Sequence, residues 1–171
     1  PMQAKAALGY LPETPPLYHD LTVDEYLSFC ARLRRVERAR QGDALRRAKA
    51  RCGLKDSGGR LLGNLSKGYR QRVGIAQAIM HKPKLVILDE PTSGLDPNQI
   101  GEIRELIREL GKEHGVILSS HILPEVQAVC DRVLIINNGT AVFSGALADL
   151  QVGNSSGALI VQLQNPPHRD S

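Results

Sequence analysis

The sequence has no tryptophan, four tyrosines and two phenylalanines, so aromatic residues make up only 4% of its 171 residues. It lacks any uninterrupted apolar stretch of the roughly 20 residues needed to cross a bilayer. Its three cysteines, Cys30, Cys52 and Cys130, form no C-x-x-C pair, which argues against a zinc cluster or a disulfide framework. We expect each to pack as a small apolar side chain in a reducing compartment. The remaining composition, 42% hydrophobic and 23% charged, is typical of one globular domain.

Positive charge is concentrated between Arg32 and Lys55, where ten basic residues accompany only Glu37 and Asp43. Such a run can contact nucleic acid or anionic lipid headgroups, or it can be the solvated face of two helices. Aromatic residues for stacking on bases are nearly absent from it. We therefore expect a solvated face and no nucleic-acid partner.

Helical signals dominate residues 21–82. Thr22 and Glu25 form a capping box, in which each side chain accepts a hydrogen bond from the other residue's backbone N–H. Apolar residues then recur at helical spacing at Tyr26, Leu27, Cys30 and Leu33. A second helix is predicted from about Asp43 to Cys52, ending at Gly53, and a third between Ser66 and Pro83.

The pattern then changes to strands alternating with helices. Leu85–Leu88 is a continuous apolar run, typical of a strand buried on both faces, and Val116–Ser119 is another. Between them Asp96 caps a helix, with Pro97 in its first turn and Gln99 reaching back. The inward stripe of that helix is predicted to be Ile100, Ile103, Ile107 and Leu110. The alternation predicts a mainly parallel sheet into which the helical block is inserted.

The last part of the chain is predicted to contain a short helix and a hairpin. The helix is Pro124–Cys130, and the hairpin strands, 132–137 and 140–144, flank an Asn138-Gly139 turn. A short helix near 146–150 and a strand over 158–163 follow, before a frayed tail from Asn165.

Asp89 and Glu90 follow the first apolar strand directly. Burying charge is costly without compensation, so the pair is either a solvated strand end or a binding site. A magnesium ion held between Asp89 and nucleotide phosphates would compensate the charge. Glu90 could then orient or deprotonate the water that attacks the terminal phosphate.

A second candidate lies at the start of the third predicted helix. Ser66 can cap the helix, and Gly68 allows close approach of a ligand to the backbone. The free N–H groups and the positive dipole end of such a helix bind anions. By itself the segment is more typical of an ordinary capped helix start.

Together these segments resemble the ATP-binding subunits of ABC transporters. Leu65–Tyr69 resembles the family's signature motif, usually L-S-G-G-Q, and Leu85–Glu90 resembles the Walker B strand with its glutamate. Ser93–Asp96 matches the D-loop, Ser119–His121 the switch histidine, and Leu8–Glu13 the Q-loop region. All five occur in the family's order. The finer resemblance is to ABC-2 type exporters and related gliding-motility proteins.

The resemblance implies an α/β fold of the P-loop NTPase kind, with a mainly parallel sheet and an inserted helical subdomain. Residues 1–20 would be the Q-loop region of the core, and residues 21–82 the helical subdomain that ends in the signature helix. Residues 83–164 would carry the Walker B, D-loop and switch-histidine parts of the RecA-like core, and residues 165–171 a frayed tail.

It also implies a head-to-tail dimer, with itself or with another ATPase subunit, that holds two ATP molecules at the interface. Glu90 and His121 would be catalytic, and Asp89 and Glu13 would hold Mg²⁺. The remaining nucleotide contacts would come from Asp96 and from the signature residues Leu65, Ser66, Lys67, Gly68 and Tyr69. The other histidines, expected at the surface, are His19, His81, His114 and His168.

The family's phosphate-binding loop, G-x-x-x-x-G-K-[S/T], occurs nowhere in the sequence. We expect it to precede this chain, so that the N-terminal part of the core is absent and the chain alone does not turn ATP over. Lys67 and Tyr69 replace a glycine and a glutamine of the signature, and Glu13 replaces the usual glutamine. These substitutions also occur among the similar proteins, so none indicates loss of activity.

The implied function is ATP hydrolysis coupled to transport through a separate membrane permease, on the cytoplasmic face of the membrane. Leu17 and Tyr18 are expected to contribute to the groove that receives the permease. The alternative is a non-catalytic remnant that only dimerises or docks. A third possibility, an ABC ATPase acting on DNA or ribosomes, is disfavoured because residues 71–91 leave no room for a coiled-coil insertion.

Overall fold

The structure, a computed structural model, describes residues 7–150. They fall into two compact units that meet in sequence between His121 and Ile122. The predicted strand over 158–163 and the tail from Asn165 lie outside the described residues. No helix within residues 7–150 has the length and apolar content to span a membrane.

The first unit contains a parallel sheet of three strands in the order β1-β2-β3. The strands are β1 (Leu8–Leu11), β2 (Leu85–Asp89) and β3 (Gly115–Ser119). Leu88 of the central strand pairs with Leu11 on one side and with Leu118 on the other. Two parallel strands and their alternation with helices were predicted and are confirmed, whereas β1 was not predicted as a strand, because its four residues include a glycine and an exposed tyrosine.

Three helices form the helical block: α1 (Val23–Leu33), α2 (Arg38–Arg51) and α3 (Lys67–Ile79). The predicted capping box of α1 is present, with the Thr22 N–H donating to Glu25 Oε2 at 2.8 Å and the Glu25 N–H donating to Thr22 Oγ1 at 3.3 Å. An ion pair of 2.6 Å between Lys49 and Asp24 joins α2 to α1. The block is therefore held by both apolar packing and inter-helix charge pairs.

Helix α2 begins at Arg38, ahead of the predicted start at Asp43. Asp43 is not a cap; its carboxylate pairs with Arg46 on the exposed side of the helix. The prediction was wrong because Gly42, which interrupts the helical pattern, lies inside the helix, where its cost is tolerated. The predicted end at Gly53 is confirmed, since this glycine adopts a φ of 67°.

Helix α3 packs closely on β1. A Cβ on Gly9 would collide with the carbonyl oxygen of Ala78, so the backbones of strand and helix approach without an intervening side chain. The Gln77 side-chain amide donates to the Tyr10 carbonyl at 2.7 Å. The same helix therefore belongs to the helical block at its N-terminus and to the sheet at its C-terminus.

Two histidines lie at the amino end of the sheet and correct the expectation that they are on the surface. His81 Nε2 is 3.1 Å from the Leu8 carbonyl oxygen, and His114 Nδ1 is 2.7 Å from that of Pro83. Burial is the main cause that lowers the pKa of His81, and the Arg34 charge adds to it. His81 is therefore more readily neutral than an exposed histidine.

Helix α4 (Pro97–Gly111) crosses from β2 to β3. The Asp96 side chain caps it as predicted, accepting from the Asn98 N–H at 3.0 Å and from the Gln99 N–H at 3.1 Å. The buried stripe is Ile103, Leu106, Ile107 and Leu110. Ile100, predicted in the stripe, is only partly buried because it lies in the first turn.

The second unit contains α5 (Leu123–Val129) and the antiparallel hairpin of β4 (Arg132–Asn137) and β5 (Thr140–Ala146). Asn138 and Gly139 at its turn have φ values of 47° and 76°. Two consecutive positive φ values are typical of the type I′ turn that an Asn-Gly pair favours. The predicted helix and hairpin are confirmed, and a 3-10 turn follows at Leu147–Asp149.

Replacing Gly9 and replacing Gly101 with alanine should change the free energy of unfolding in opposite directions. Gly9→Ala should lower the free energy of unfolding by about 1–3 kcal/mol, because the new methyl group forces the Ala78 backbone away. Gly101→Ala should raise it by about 0.5–1 kcal/mol, because Gly101 lies inside α4 with nothing within 4 Å of an added Cβ. Urea unfolding of both variants measures the difference, and equal effects would contradict the assigned packing.

Candidate functional site

The carboxyl ends of β2 and β3 are joined by a side-chain hydrogen bond. The register places Asp89 beside Ser119, and Ser119 Oγ donates to Asp89 Oδ1 at 2.6 Å. Ser119 Oγ also accepts a hydrogen bond from the Glu90 backbone N–H at 3.0 Å. One hydroxyl therefore fixes the aspartate side chain and the start of the loop that carries the glutamate.

Glu90 has an unusual backbone. Its φ is 44°, in the left-handed region that a residue with a side chain rarely adopts. Its carboxylate is 2.9 Å from His121 Nδ1, and it is largely buried, whereas the histidine side chain is 73% exposed. Since an ionised carboxylate only accepts hydrogen bonds, Nδ1 donates in this pair. Left-handed strain of this kind often accompanies functional residues.

The segment after Glu90 forms a tight turn that leads into α4. Thr92 is buried, the Ser93 N–H donates to the Glu90 carbonyl at 3.1 Å, and Gly94 adopts a φ of 65°. The Leu95 N–H donates to the Thr92 carbonyl at 3.2 Å. These bonds hold the predicted D-loop in one conformation, up to the cap residue Asp96.

At the start of α3, Leu65 is buried and Ser66 is the cap, accepting from the Tyr69 N–H at 3.4 Å. Tyr69 is 37% exposed, and the Arg60 guanidinium lies 5.4 Å from its ring centroid. The helix start is therefore ordered while part of the tyrosine ring remains accessible.

The signature segment contacts the D-loop segment of the same chain, which the sequence did not predict. A Cβ on Gly68 would lie 2.6 Å from Gln99 Oε1, and a Cβ on Gly94 would collide with Lys67 Nζ. Gly94 of the D-loop therefore leaves room for Lys67 of the signature segment, and Gly68 of the signature segment leaves room for Gln99 in the first turn of α4. Neither pair was detectable from spacing, because both join segments that are far apart in sequence.

Glu13 is exposed and lies just after β1. Because β1 and β2 are parallel, Glu13 follows the same sheet edge as Asp89 and Glu90. Within residues 7–150, no hydrogen bond or ion pair joins it to either acid. Its expected role toward Mg²⁺ thus stays a prediction.

The donor set at this edge suits a hard cation that brings other ligands with it. No cluster of three histidine, cysteine or acidic side chains within residues 7–150 is arranged to hold a metal alone. Magnesium usually takes one or two carboxylates and completes its octahedron with phosphates and water. Asp89, with one oxygen fixed by Ser119, fits that requirement.

The structure thus brings Asp89, Glu90 and His121 together at one edge, and it also brings the signature and D-loop segments together. The residue that sequence reasoning missed is Ser119, the last residue of β3, two positions before His121. The sequence did contain a sign of its role, because Ser119 carries a hydroxyl at the end of one predicted strand, and the other predicted strand ends in two acids.

We expect Ser119→Ala to lower the free energy of unfolding by about 1 kcal/mol, because it removes both hydrogen bonds of the hydroxyl. Ser119→Thr is the control, since it keeps the hydroxyl in a strand where a branched residue is favourable. Urea unfolding compares the two. If the alanine variant were as stable as the threonine variant, the hydroxyl would not be holding the strand ends.

Comparison with known proteins places the chain. The model of the ABC transporter family matches residues 2–93. Among curated relatives, the chain is 38% identical over 144 residues to the uncharacterized ABC transporter ATP-binding protein YxlF of Bacillus subtilis, covering 84% of this chain and 49% of that protein. It is 40% identical over 153 residues to the ABC transporter ATP-binding protein NatA of the same organism, covering 88% and 62%.

A further relative is the bacitracin transport ATP-binding protein BcrA of Bacillus licheniformis, 40% identical over 134 residues, or 77% of this chain and 43% of that protein. The chain spans about half the length of the curated relatives it matches. A solved structure of an ATP-binding subunit of an ABC transporter superposes with a TM-score of 0.74 at 34% identity, over 87% of this chain and 62% of that one. The expected α/β fold of the P-loop NTPase kind is confirmed, and the chain belongs to the ABC transporter family, among its ATP-binding proteins.

Proposed function

We propose that this chain is part of an ATP-hydrolysing ABC transporter subunit, with ATP bound at the edge where β2 and β3 end. The observation that carries the proposal is the linked group of Ser119, Asp89, Glu90 and His121. Two acids, a histidine and a hydroxyl with fixed mutual geometry suit transfer of a phosphoryl group to water. The similarity to ABC transporter ATP-binding proteins supports the same reaction.

Glu90 is the proposed general base. The Glu90 side chain is largely buried. The residue is held at two points: its backbone N–H donates to Ser119 Oγ, and its carboxylate oxygen contacts His121 Nδ1. A base held in this way accepts a proton from water in one defined direction. His121, whose side chain is 73% exposed, would contact the terminal phosphate while it keeps Glu90 oriented.

Asp89, with Glu13 as a second ligand, is the proposed Mg²⁺ site. Bound there, the ion would neutralise charge on the phosphate oxygens. The protein side chains position this site: Ser119 holds one Asp89 carboxylate oxygen, which leaves the other oxygen for the ion. The exposure of Glu13 leaves it able to approach the same edge.

The signature residues are proposed to act on ATP bound to a second subunit. Within residues 7–150, no hydrogen bond reaches the backbone N–H groups of Lys67 and Gly68 in the first turn of α3. Such N–H groups at a helix start bind phosphate oxygens. A head-to-tail dimer would present them, with Ser66 and Tyr69, to the nucleotide on the partner, so that ATP stabilises the closed dimer. Asp96 would lie at the same interface.

The subunit is proposed to work at the cytoplasmic face of a membrane, with a separate permease of the ABC-2 exporter type. The proposed contact is an aromatic cluster of Tyr18, Tyr26 and Phe29. Tyr18 is 57% exposed, and its ring centroid lies 5.6 Å from that of Phe29 and 6.4 Å from that of Tyr26. An exposed aromatic side chain that packs against a buried tyrosine and a half-buried phenylalanine is a suitable anchor for a partner helix.

The test of hydrolysis uses Glu90→Gln in a protein that joins this chain to a phosphate-binding loop. We expect kcat to fall about 10²- to 10⁴-fold, because the amide cannot accept the proton, while ATP binding persists. Glu105→Gln on the exposed side of α4 is the matched control and should keep wild-type turnover.

Retention of wild-type hydrolysis by Glu90→Gln would exclude Glu90 as the base. The chain alone is expected to show no ATP turnover. If it turned ATP over at the rate of the longer protein, the proposed dependence on a separate phosphate-binding loop would be wrong.

The docking site is tested by placing a photo-crosslinking amino acid at Tyr18 and, as control, at Glu105. Crosslinks to the permease are expected from position 18 only, because the aromatic cluster is the proposed contact. Crosslinks from position 105 alone would place the permease on another surface.

A further inference from the structure

A cavity of about 660 Å³ lies between the end of α1, the first half of α2 and the end of α3. Five basic residues line it: Arg34, Arg35, Arg40, Arg47 and Lys82. Four of them belong to the basic run that the sequence predicted to be a solvated face. Together with a lysine from the end of α3, they line one partly open space, which we call the basic cavity.

The acids that line the basic cavity do not balance this charge. Glu37 pairs with Arg40 at 3.1 Å, and Asp43 pairs with Arg46, which does not line the cavity. By contrast, the side chains of Arg35, Arg47 and Lys82 form no hydrogen bond or ion pair within residues 7–150. Like charges gathered without partners repel one another, so a bound anion would stabilise the arrangement.

Backbone conformation supports a role for two of these side chains. Arg35 and Lys82 have φ values of 56° and 54°; Arg35 directly follows the C-cap residue of α1, and Lys82 lies two residues after Met80, the C-cap residue of α3. Glycine is favoured at such positions, since a side chain there is strained. Helix termination alone therefore does not account for a long basic residue at either one.

The shape of the cavity and its lining narrow the class of ligand. Among the described lining residues the only ring is that of His81, and no tyrosine, phenylalanine or tryptophan is present, so the lining favours contacts with an anion over stacking on nucleic-acid bases. Its volume suits a small ligand or a headgroup. Guanidinium groups match the oxygens of phosphate through paired hydrogen bonds, and lysine adds a point charge.

An adjoining recess of about 370 Å³ shares Arg47 and Lys82 with the basic cavity. Apolar residues that line the recess include Ala48, Ile79 and Met80. The two shared cations therefore lie between a charged space and a partly apolar one. This arrangement accepts a phosphate alone, and it also accepts a phosphate ester that continues into an apolar group.

We propose that the basic cavity binds a phosphate-bearing anion, with Arg47 and Lys82 as its main contacts. The site is separate from the group formed by Asp89, Glu90 and His121, and it does not depend on the proposed hydrolysis. The ligand can be a soluble phosphate or the headgroup of an anionic lipid.

The test compares two double variants of the whole chain. Arg47→Gln with Lys82→Gln removes the two shared cations, and Arg32→Gln with Lys55→Gln removes the same charge from residues of the basic run that do not line the cavity. All four residues are exposed, so both variants should fold, which circular dichroism would verify.

Two probes distinguish the sources of the phosphate. Calorimetric titration with pyrophosphate measures a soluble anion, and flotation with vesicles of phosphatidylcholine, with or without phosphatidylglycerol, measures a headgroup. We expect the unaltered chain to bind at least one probe, the cavity variant to bind it about tenfold or more weakly, and the control variant to stay within about twofold. Pyrophosphate binding without vesicle capture would assign a soluble ligand, and capture only by vesicles containing phosphatidylglycerol would assign a lipid.

Two results would overturn the proposal. One is that the unaltered chain binds neither probe. The other is that both double variants weaken binding equally, which would show that net charge alone is responsible.

Discussion

The hydrogen bond between Ser119 and Asp89 ties together the ends of two parallel strands, and the geometry of the candidate site follows from it. Parallel strands expose their carboxyl ends at one edge, and residues that follow them there become neighbours however far apart they are in sequence. The register of β2 and β3 places a hydroxyl beside an acid. That hydroxyl also accepts a hydrogen bond from the Glu90 N–H. This bond holds Glu90 in a left-handed conformation and directs its carboxylate toward His121.

Helix α3 links this edge to the rest of the first unit. Its C-terminal half lies against β1 at Gly9, and its first turn touches the D-loop and α4 through Lys67 and Gln99. A rigid helix transmits displacement along its length, so movement of the signature segment would be felt by both the D-loop and β1. Because Glu13 follows β1, the same helix connects the strand that leads to Glu13 with the signature residues proposed to contact a partner's nucleotide.

Local signals in the sequence predicted much of this fold. The Thr22–Glu25 box, the Asp96 cap and the Asn138-Gly139 turn are each decided by a few neighbouring residues, so their prediction needed no tertiary information. The predicted start of α2 was wrong because a glycine such as Gly42 is typical of a helix boundary, and the sequence alone does not show that it lies inside a helix. In the candidate site, the two acids were singled out from their place at a strand end and His121 from the family resemblance, whereas Ser119 was missed because its partners are fixed by strand register.

The basic run between Arg32 and Lys55 shows that the surroundings of charged side chains are equally hard to predict from the sequence. Spacing along one helix tells which residues share a face, but it does not tell what lies opposite that face. Arg35 and Lys82 come from the ends of different helices, and only the packing of α3 beside α1 and α2 brings them to one cavity. Whether a cluster of cations is solvated or gathered around a ligand site thus depends on contacts between distant elements. Such contacts are also the reason that Gly94 leaves space for Lys67 of the signature segment, and Gly68 for Gln99 of α4, although each pair is far apart in sequence.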